Sequence, residues 1–170
     1  MLQPIKGFGR TAKEASIMDF KCKPGDRRGE YWRIPVGTGS RVRSILGDFN
    51  YWKTFLMRRA KTQEPEAGAL SIYGKPEDHS LFFSHFTAEY GVKVEAKGRT
   101  VYEWALMPGS PENDLLDCTV YAMIAASVSG CKLNKKATTR KPPAAKARKA
   151  GNFATGGIGS GRRGGFAKGF

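Results

Sequence analysis

Asp114 and Asp117 lie three residues apart in Asn113-Asp114-Leu115-Leu116-Asp117-Cys118, at the head of an otherwise apolar run that reaches Val128. On a helix, residues three apart share a face, so the two carboxylates would repel each other without a cation nearby. A carboxylate buried without a partner costs several kcal/mol or takes up a proton. Two arrangements meet that demand: a core Lys, Arg or backbone N–H that holds the acid, or Mg²⁺ or Mn²⁺, hard ions that prefer carboxylate oxygen. The spacing leaves both open, with Asp117 and Asp114 as the candidate metal ligands.

The element carrying them reads as a helix. Ser110 can cap it, Pro111 suits the first helical position, and Glu112 and Asp114 fall in the first turn, where the helix dipole favours negative charge. Leu115, Leu116, Val120, Tyr121, Met123, Ile124 and Val128 leave almost no polar face, which predicts burial on nearly every side, with Cys118 as a small hydrophobe inside.

Other elements must position this helix. Leu2 to Lys6 reads as a strand that begins abruptly, Thr11 to Arg28 as mostly loop, and Glu30 to Val36 and Arg41 to Leu46 as strands. Gly37-Thr38-Gly39-Ser40 is a turn and not a nucleotide loop, because no helix opens after it. Asp48 or Asn50 can cap a helix running to about Ala60, with Phe49, Trp52, Phe55 and Leu56 on one face; Lys53, Arg58, Arg59 and Lys61 could form a phosphate-facing surface. Ala69 to Tyr73 reads as a short strand and Pro76 to Tyr90 as a helix. Val92 to Glu95 and Val101 to Leu106 flank a hairpin turn at Lys97-Gly98-Arg99. His79 and His85 fall on different faces, so they read as surface or boundary residues rather than a metal pair. Strands and helices alternate, which predicts an α/β class.

The charge is unevenly divided. Residues 1–130 hold 18 Lys and Arg against 15 Asp and Glu, whereas residues 131–170 hold 11 Lys and Arg and no acid. Residues 1–130 therefore read as a globular domain. Residues 131–170 read as a Lys/Ala/Pro-rich and then Gly/Arg-rich arm with too little apolar content to fold, expected to be disordered. Lys135, Lys136, Arg140, Lys141, Arg162 and Arg163 make it a candidate sequence-independent nucleic-acid binder. Three cysteines with no CxxC pairing point to a reducing, intracellular compartment, and the Leu115–Val128 run is too short for a membrane span.

Several blocks in this order resemble the C-terminal nuclease domain of lambda-like (GpA-type) bacteriophage terminase large subunits. They are Pro4-Ile5-Lys6-Gly7, Asn50-Tyr51-Trp52-Lys53-Thr54-Phe55 and Gly68-Ala69-Leu70-Ser71-Ile72-Tyr73-Gly74. They continue with His85-Phe86-Thr87-Ala88-Glu89-Tyr90, Glu103-Trp104, and Asn113-Asp114-Leu115-Leu116-Asp117-Cys118 followed by Val120-Tyr121-Ala122. The resemblance covers about residues 4–130 and leaves out the tail.

The resemblance implies a partial RNase H-like fold, a mixed sheet with flanking helices that lacks its first strand. It implies an endonuclease that cuts concatemeric double-stranded DNA during genome packaging, using two Mg²⁺ or Mn²⁺ ions held by clustered acids. Asp117 matches the last of those acids, Asp114 takes the place of a neighbouring one, and Glu89 reads as structural. The family's first acid lies upstream of the Ile5-Lys6-Gly7 segment, and its ATPase is absent here, so the chain is expected to be inactive without its upstream part. An upstream terminase fragment, the small terminase subunit and the portal are the implied partners, in the cytoplasm of an infected bacterium. The alternatives are a non-enzymatic nucleic-acid-binding protein with a basic arm, or a functionless remnant.

Overall fold

The structure, a computed structural model, describes residues 3–37, 42–110 and 112–132. Its elements in chain order are β1 (Ile5–Phe8), β2 (Arg27–Gly29), β3 (Trp32–Ile34), β4 (Ile45–Asp48), α1 (Phe49–Lys61), α2 (Ser80–Phe86), β5 (Glu89–Ala96), β6 (Arg99–Leu106) and α3 (Asp114–Val128). Short 3₁₀ turns cover Ile17–Asp19 and Pro76–His79. The first four strands form a mixed sheet in the order β1-β4-β3-β2. β1 runs parallel to β4, with Ile5 opposite Ile45 and Phe8 opposite Asp48, while β3 is antiparallel to both β4 and β2. The mixed sheet with flanking helices agrees with the α/β reading.

β5 and β6 pair as a separate hairpin, from Glu89 opposite Leu106 to Ala96 opposite Arg99. Lys97 and Gly98 both take positive φ, 49° and 71°, as a two-residue turn of the right twist requires. The core gathers Trp32, Ile34 and Ile45 from the sheet, Trp52 and Leu56 from α1, Phe86 from α2, and Leu116, Val120 and Ile124 from α3. Glycine permits the close approaches: a Cβ on Gly7 would lie 2.3 Å from the Phe49 ring, and one on Gly47 2.6 Å from Ile124 Cδ1. The Trp32 indole N–H donates to Ser127 Oγ at 2.9 Å, which ties β3 to the far end of α3.

α1 starts where its capping chemistry says it should. Asp48 is its N-cap, and the carboxylate accepts from the Tyr51 N–H at 3.3 Å. That carboxylate is 2 % exposed, and burial pushes its pKa up from 3.8 to about 6. A raised carboxyl pKa means that the folded state holds a proton the unfolded state has lost. The associated stability is complete below about pH 4 and is lost as pH rises through about 6. Asp48→Asn keeps the cap and removes the charge. Relative to wild type it should gain about 2–3 kcal/mol between about pH 4 and about pH 7, read from urea midpoints. A difference that does not change with pH would contradict this account.

Asn50, 6 % exposed, joins three segments: its amide donates to the Arg10 carbonyl at 3.1 Å and accepts from the Trp104 N–H at 3.2 Å. Asn50→Ala would leave both backbone groups unpaired and should destabilise by about 1–3 kcal/mol in urea unfolding.

The structure corrects several sequence expectations. α3 begins at Asp114 with Asn113 as N-cap, not at Ser110, so Glu112 precedes the helix; Pro111 lies outside the described residues. α3 is buried along one stripe only, Leu116, Val120 and Ile124, while Cys118 and Ala122 are exposed. Among the described residues the sheet and the other helices cover only that side. Cys22, Cys118 and Cys131 are all free and exposed.

Pro76 to Tyr90 is not one helix: α2 stops at Phe86, and Glu89 and Tyr90 belong to β5. Ala69 to Tyr73 is not a strand, because no strand among the described residues lies beside it; the Leu70 N–H bonds the Arg59 carbonyl at 3.1 Å instead. The Glu30 to Val36 segment turns at Tyr31, with Trp32–Ile34 forming β3, and the strand expected over Arg41 to Leu46 lies at Ile45–Asp48. The turn at residues 38–40 and the arm beyond residue 132 lie outside the described residues. No described helix is long and apolar enough to cross a membrane.

Candidate metal centre around Asp117

Lys53 sits on the same stripe of α1 as the buried Trp52 and Leu56 and is itself only 6 % exposed. A phosphate-facing role for it is therefore corrected: its ammonium points inward, 5.5 Å from the Phe49 ring centroid. Nζ lies 2.6 and 2.8 Å from the two carboxylate oxygens of Glu89 and 2.8 Å from Asp117 Oδ1. The Asn113 amide donates to Glu89 Oε1. Four side chains from α1, β5, the residue before α3, and α3 thus form one cluster.

The sequence left open whether a core cation or a metal answers Asp117, and a core cation is present. Asn113, the N-cap of α3, makes no side-chain capping bond and gives its amide to Glu89 instead.

The two carboxylates on Lys53 are not equivalent. The Glu89 side chain is 5 % exposed and takes a bidentate contact plus the Asn113 amide, so its acceptors are well filled. That environment agrees with a structural Glu89. The Asp117 side chain is 32 % exposed, opens toward solvent on one side, and has a single cation on Oδ1. Oδ1 is itself shielded and accepts no hydrogen bond of good geometry among the described residues, so the Lys53 contact there is Coulombic. Asp114, one turn earlier on α3, is exposed.

Among the described residues, no three His, Cys, Asp or Glu side chains gather closely enough to hold a metal by themselves. Mg²⁺ uses one or two protein carboxylates and fills its remaining positions with water and substrate phosphate oxygens. The solvent-facing side of the Asp117 carboxylate, away from Lys53, and a second exposed acid one turn away fit that limited demand. Glu89 does not, because Lys53 and Asn113 already occupy its oxygens.

The remaining candidates are placed elsewhere. Arg58 is exposed and Arg59 half-buried in the last turn of α1, on the wall of a cleft of about 680 Å³ between that helix and the start of β6. Lys135, Lys136, Arg140, Lys141, Arg162 and Arg163 lie outside the described residues. The His79 Nε2–H donates to the Tyr73 carbonyl at 2.8 Å, whereas His85, expected at the surface or boundary, is buried. Sequence reasoning missed the Lys53–Glu89 link. A Lys at i+4 from Phe49 and i−3 from Leu56, inside an apolar stripe, was the available signal.

The family model described as "Terminase large subunit gpA, endonuclease domain" matches residues 4–138. No curated protein and no solved structure matches the chain. The match spans most of the 170 residues and takes in every member of the Lys53–Glu89–Asn113–Asp117 cluster, and the chain belongs to the terminase large subunit gpA endonuclease-domain family.

Proposed function

We propose that this domain is a Mg²⁺- or Mn²⁺-dependent endonuclease acting on double-stranded DNA in genome packaging, with Asp117 as a metal ligand and Asp114 as its neighbour. The observation that carries the reading is the asymmetry of the cluster: Glu89 is filled and buried, while Asp117 is held from behind by Lys53 and left open in front. When bound, the ion supplies water activation and stabilisation of the leaving oxygen in phosphodiester hydrolysis.

The chain's own residues do the positioning. Lys53 fixes one oxygen of Asp117, and Glu89 and Asn113 fix Lys53, so the Asp117 carboxylate is presented without rotamer freedom. Leu116 and Val120, both fully buried, anchor the turn that carries it.

The resemblance implies a further acid on an earlier strand of an RNase H-like sheet. We infer that a segment outside the described residues supplies it. β1 supports this, being an edge strand of the sheet among the described residues, where a further strand can add. On this reading the chain alone cleaves poorly, and an upstream terminase polypeptide completes the site; the small terminase subunit and the portal are proposed partners of that assembly. The test is Mn²⁺-dependent cleavage of supercoiled plasmid by the chain combined with the upstream polypeptide. Asp117→Asn should lower the rate by about 100-fold, or about 2.7 kcal/mol. Equal cleavage by the variant would remove Asp117 from the metal site.

The Lys53 contact also favours a second reading, in which Asp117 is only the counter-ion of a buried lysine. In that case Asp117→Asn lowers stability while cleavage per folded molecule stays unchanged. The basic arm at residues 131–170 is proposed as a sequence-independent DNA-binding accessory, as Lys135, Lys136, Arg140, Lys141, Arg162 and Arg163 suggest. Its deletion should flatten the salt dependence of DNA binding and leave reconstituted cleavage in place.

A further inference from the structure

α1 has two working sides. One turns Lys53 toward Glu89 and Asp117; the other presents Tyr51, Phe55 and Arg58 to the cleft that β6 closes with Arg99, Val101 and Tyr102. At about 680 Å³ this cleft has the volume of a small-ligand site.

Its walls combine two chemistries. Tyr31 and Tyr51 are stacked with ring centroids 3.6 Å apart and planes 7° apart, and Phe55 follows 6.4 Å from Tyr51 with planes 19° apart, so three rings lie nearly parallel. The Arg59 guanidinium lies 4.9 Å from the Phe55 centroid. Arg58 is exposed and Arg99 half-buried; Arg99 gives one N–H to the Glu14 carbonyl, which fixes the side chain and leaves other donors of the fork. Among the described residues of the lining the one carboxylate is Asp48, buried as the cap of α1, and the Glu30 carboxylate beside the wall accepts the Tyr51 hydroxyl.

Net positive charge disfavours a metal ion here, and the arginine-rich wall disfavours an apolar ligand. A flat ring system carrying a phosphate satisfies both halves, since aromatic faces stack bases and guanidinium forks grip phosphate. An intact duplex keeps its bases stacked inside and cannot lay one on this wall.

We propose that the α1–β6 cleft binds a nucleoside phosphate unit of single-stranded DNA, with the base against the Tyr51 and Phe55 wall and the phosphate at Arg58 and Arg99. This goes beyond the metal-centre reading and does not depend on it.

The test titrates the full chain with thymidine 5′-monophosphate and, separately, with the 5′-phosphorylated thymidine dinucleotide, followed by ¹H–¹⁵N NMR. Both ligands are too short to engage the basic arm as a polyanion. Saturating shifts are expected at the backbone amides of residues 51–58 of α1 and of residues 99–102. Arg58→Glu and Tyr102→Ala, both at exposed positions, should each weaken binding by about tenfold. Tighter binding of the dinucleotide than of the monophosphate supports a strand. Equal affinity would assign the cleft to a free nucleotide and overturn the strand proposal. Shifts elsewhere, no shifts, or affinities unaltered by both variants would overturn the site altogether.

Discussion

Lys53→Met is expected to destabilise the fold by about 3–5 kcal/mol, the largest effect of any single charge change in this domain. The Lys53 side chain is 8 % exposed and compensates two carboxylates at once, its ammonium 2.6 Å from Glu89 and 2.8 Å from Asp117. Methionine matches the stem in volume, so packing changes little and the loss isolates the charge. Glu89 would be left with the Asn113 amide alone, and water reaches its side chain poorly because it is 5 % exposed. A double variant, Lys53→Met with Glu89→Gln, should recover a large part of the loss, because removing both buried charges is less harmful than orphaning one. Urea unfolding of the four members of that cycle checks the coupling. Additive losses from the two single variants would show that the pair is not a unit.

Leu116→Ala is expected to follow at about 3–4 kcal/mol. Leu116 is fully buried and belongs to the stripe by which α3 meets the core, so truncation leaves a cavity beneath the residue next to Asp117. The neighbouring Leu115, only partly buried, provides the control: Leu115→Ala should lose far less. Similar losses at both positions would mean that α3 is buried on both sides, as the apolar composition alone suggested.

Local chemistry was legible in the sequence where one segment decides it. Asp48 or Asn50 before an apolar stripe marked the start of α1, where Asp48 is the cap, and Lys97-Gly98-Arg99 marked the hairpin turn. What failed depended on distant partners. Whether Glu89 and Tyr90 end a helix or begin a strand is decided by Leu106 and Ala105, their partners on β6. Whether Ala69 to Tyr73 is a strand depends on a neighbour, and none among the described residues lies beside it.

Asn113 reads locally as an ordinary helix-start residue, but a glutamate 24 positions away claims its side chain. The candidate site was half legible in the same sense. Asp117 announced that it needed a cation, and nothing near it in sequence said that Lys53, already set within the aromatic stripe of α1, would supply one. The open side of α3, with Cys118 and Ala122 exposed, was hidden because apolar residues are compatible with exposure wherever no partner covers them.

The central claim is that Asp117 faces a divalent metal with Lys53 behind it. The most direct measurement adds substoichiometric Mn²⁺ to ¹⁵N-labelled protein and follows paramagnetic broadening of its amide signals, which detects weak binding without any need for cleavage. The account expects Asn113 to Cys118 to broaden first, and Asp117→Asn to abolish that broadening while its spectrum stays folded. Broadening centred elsewhere, or unchanged at the start of α3 in Asp117→Asn, would contradict it.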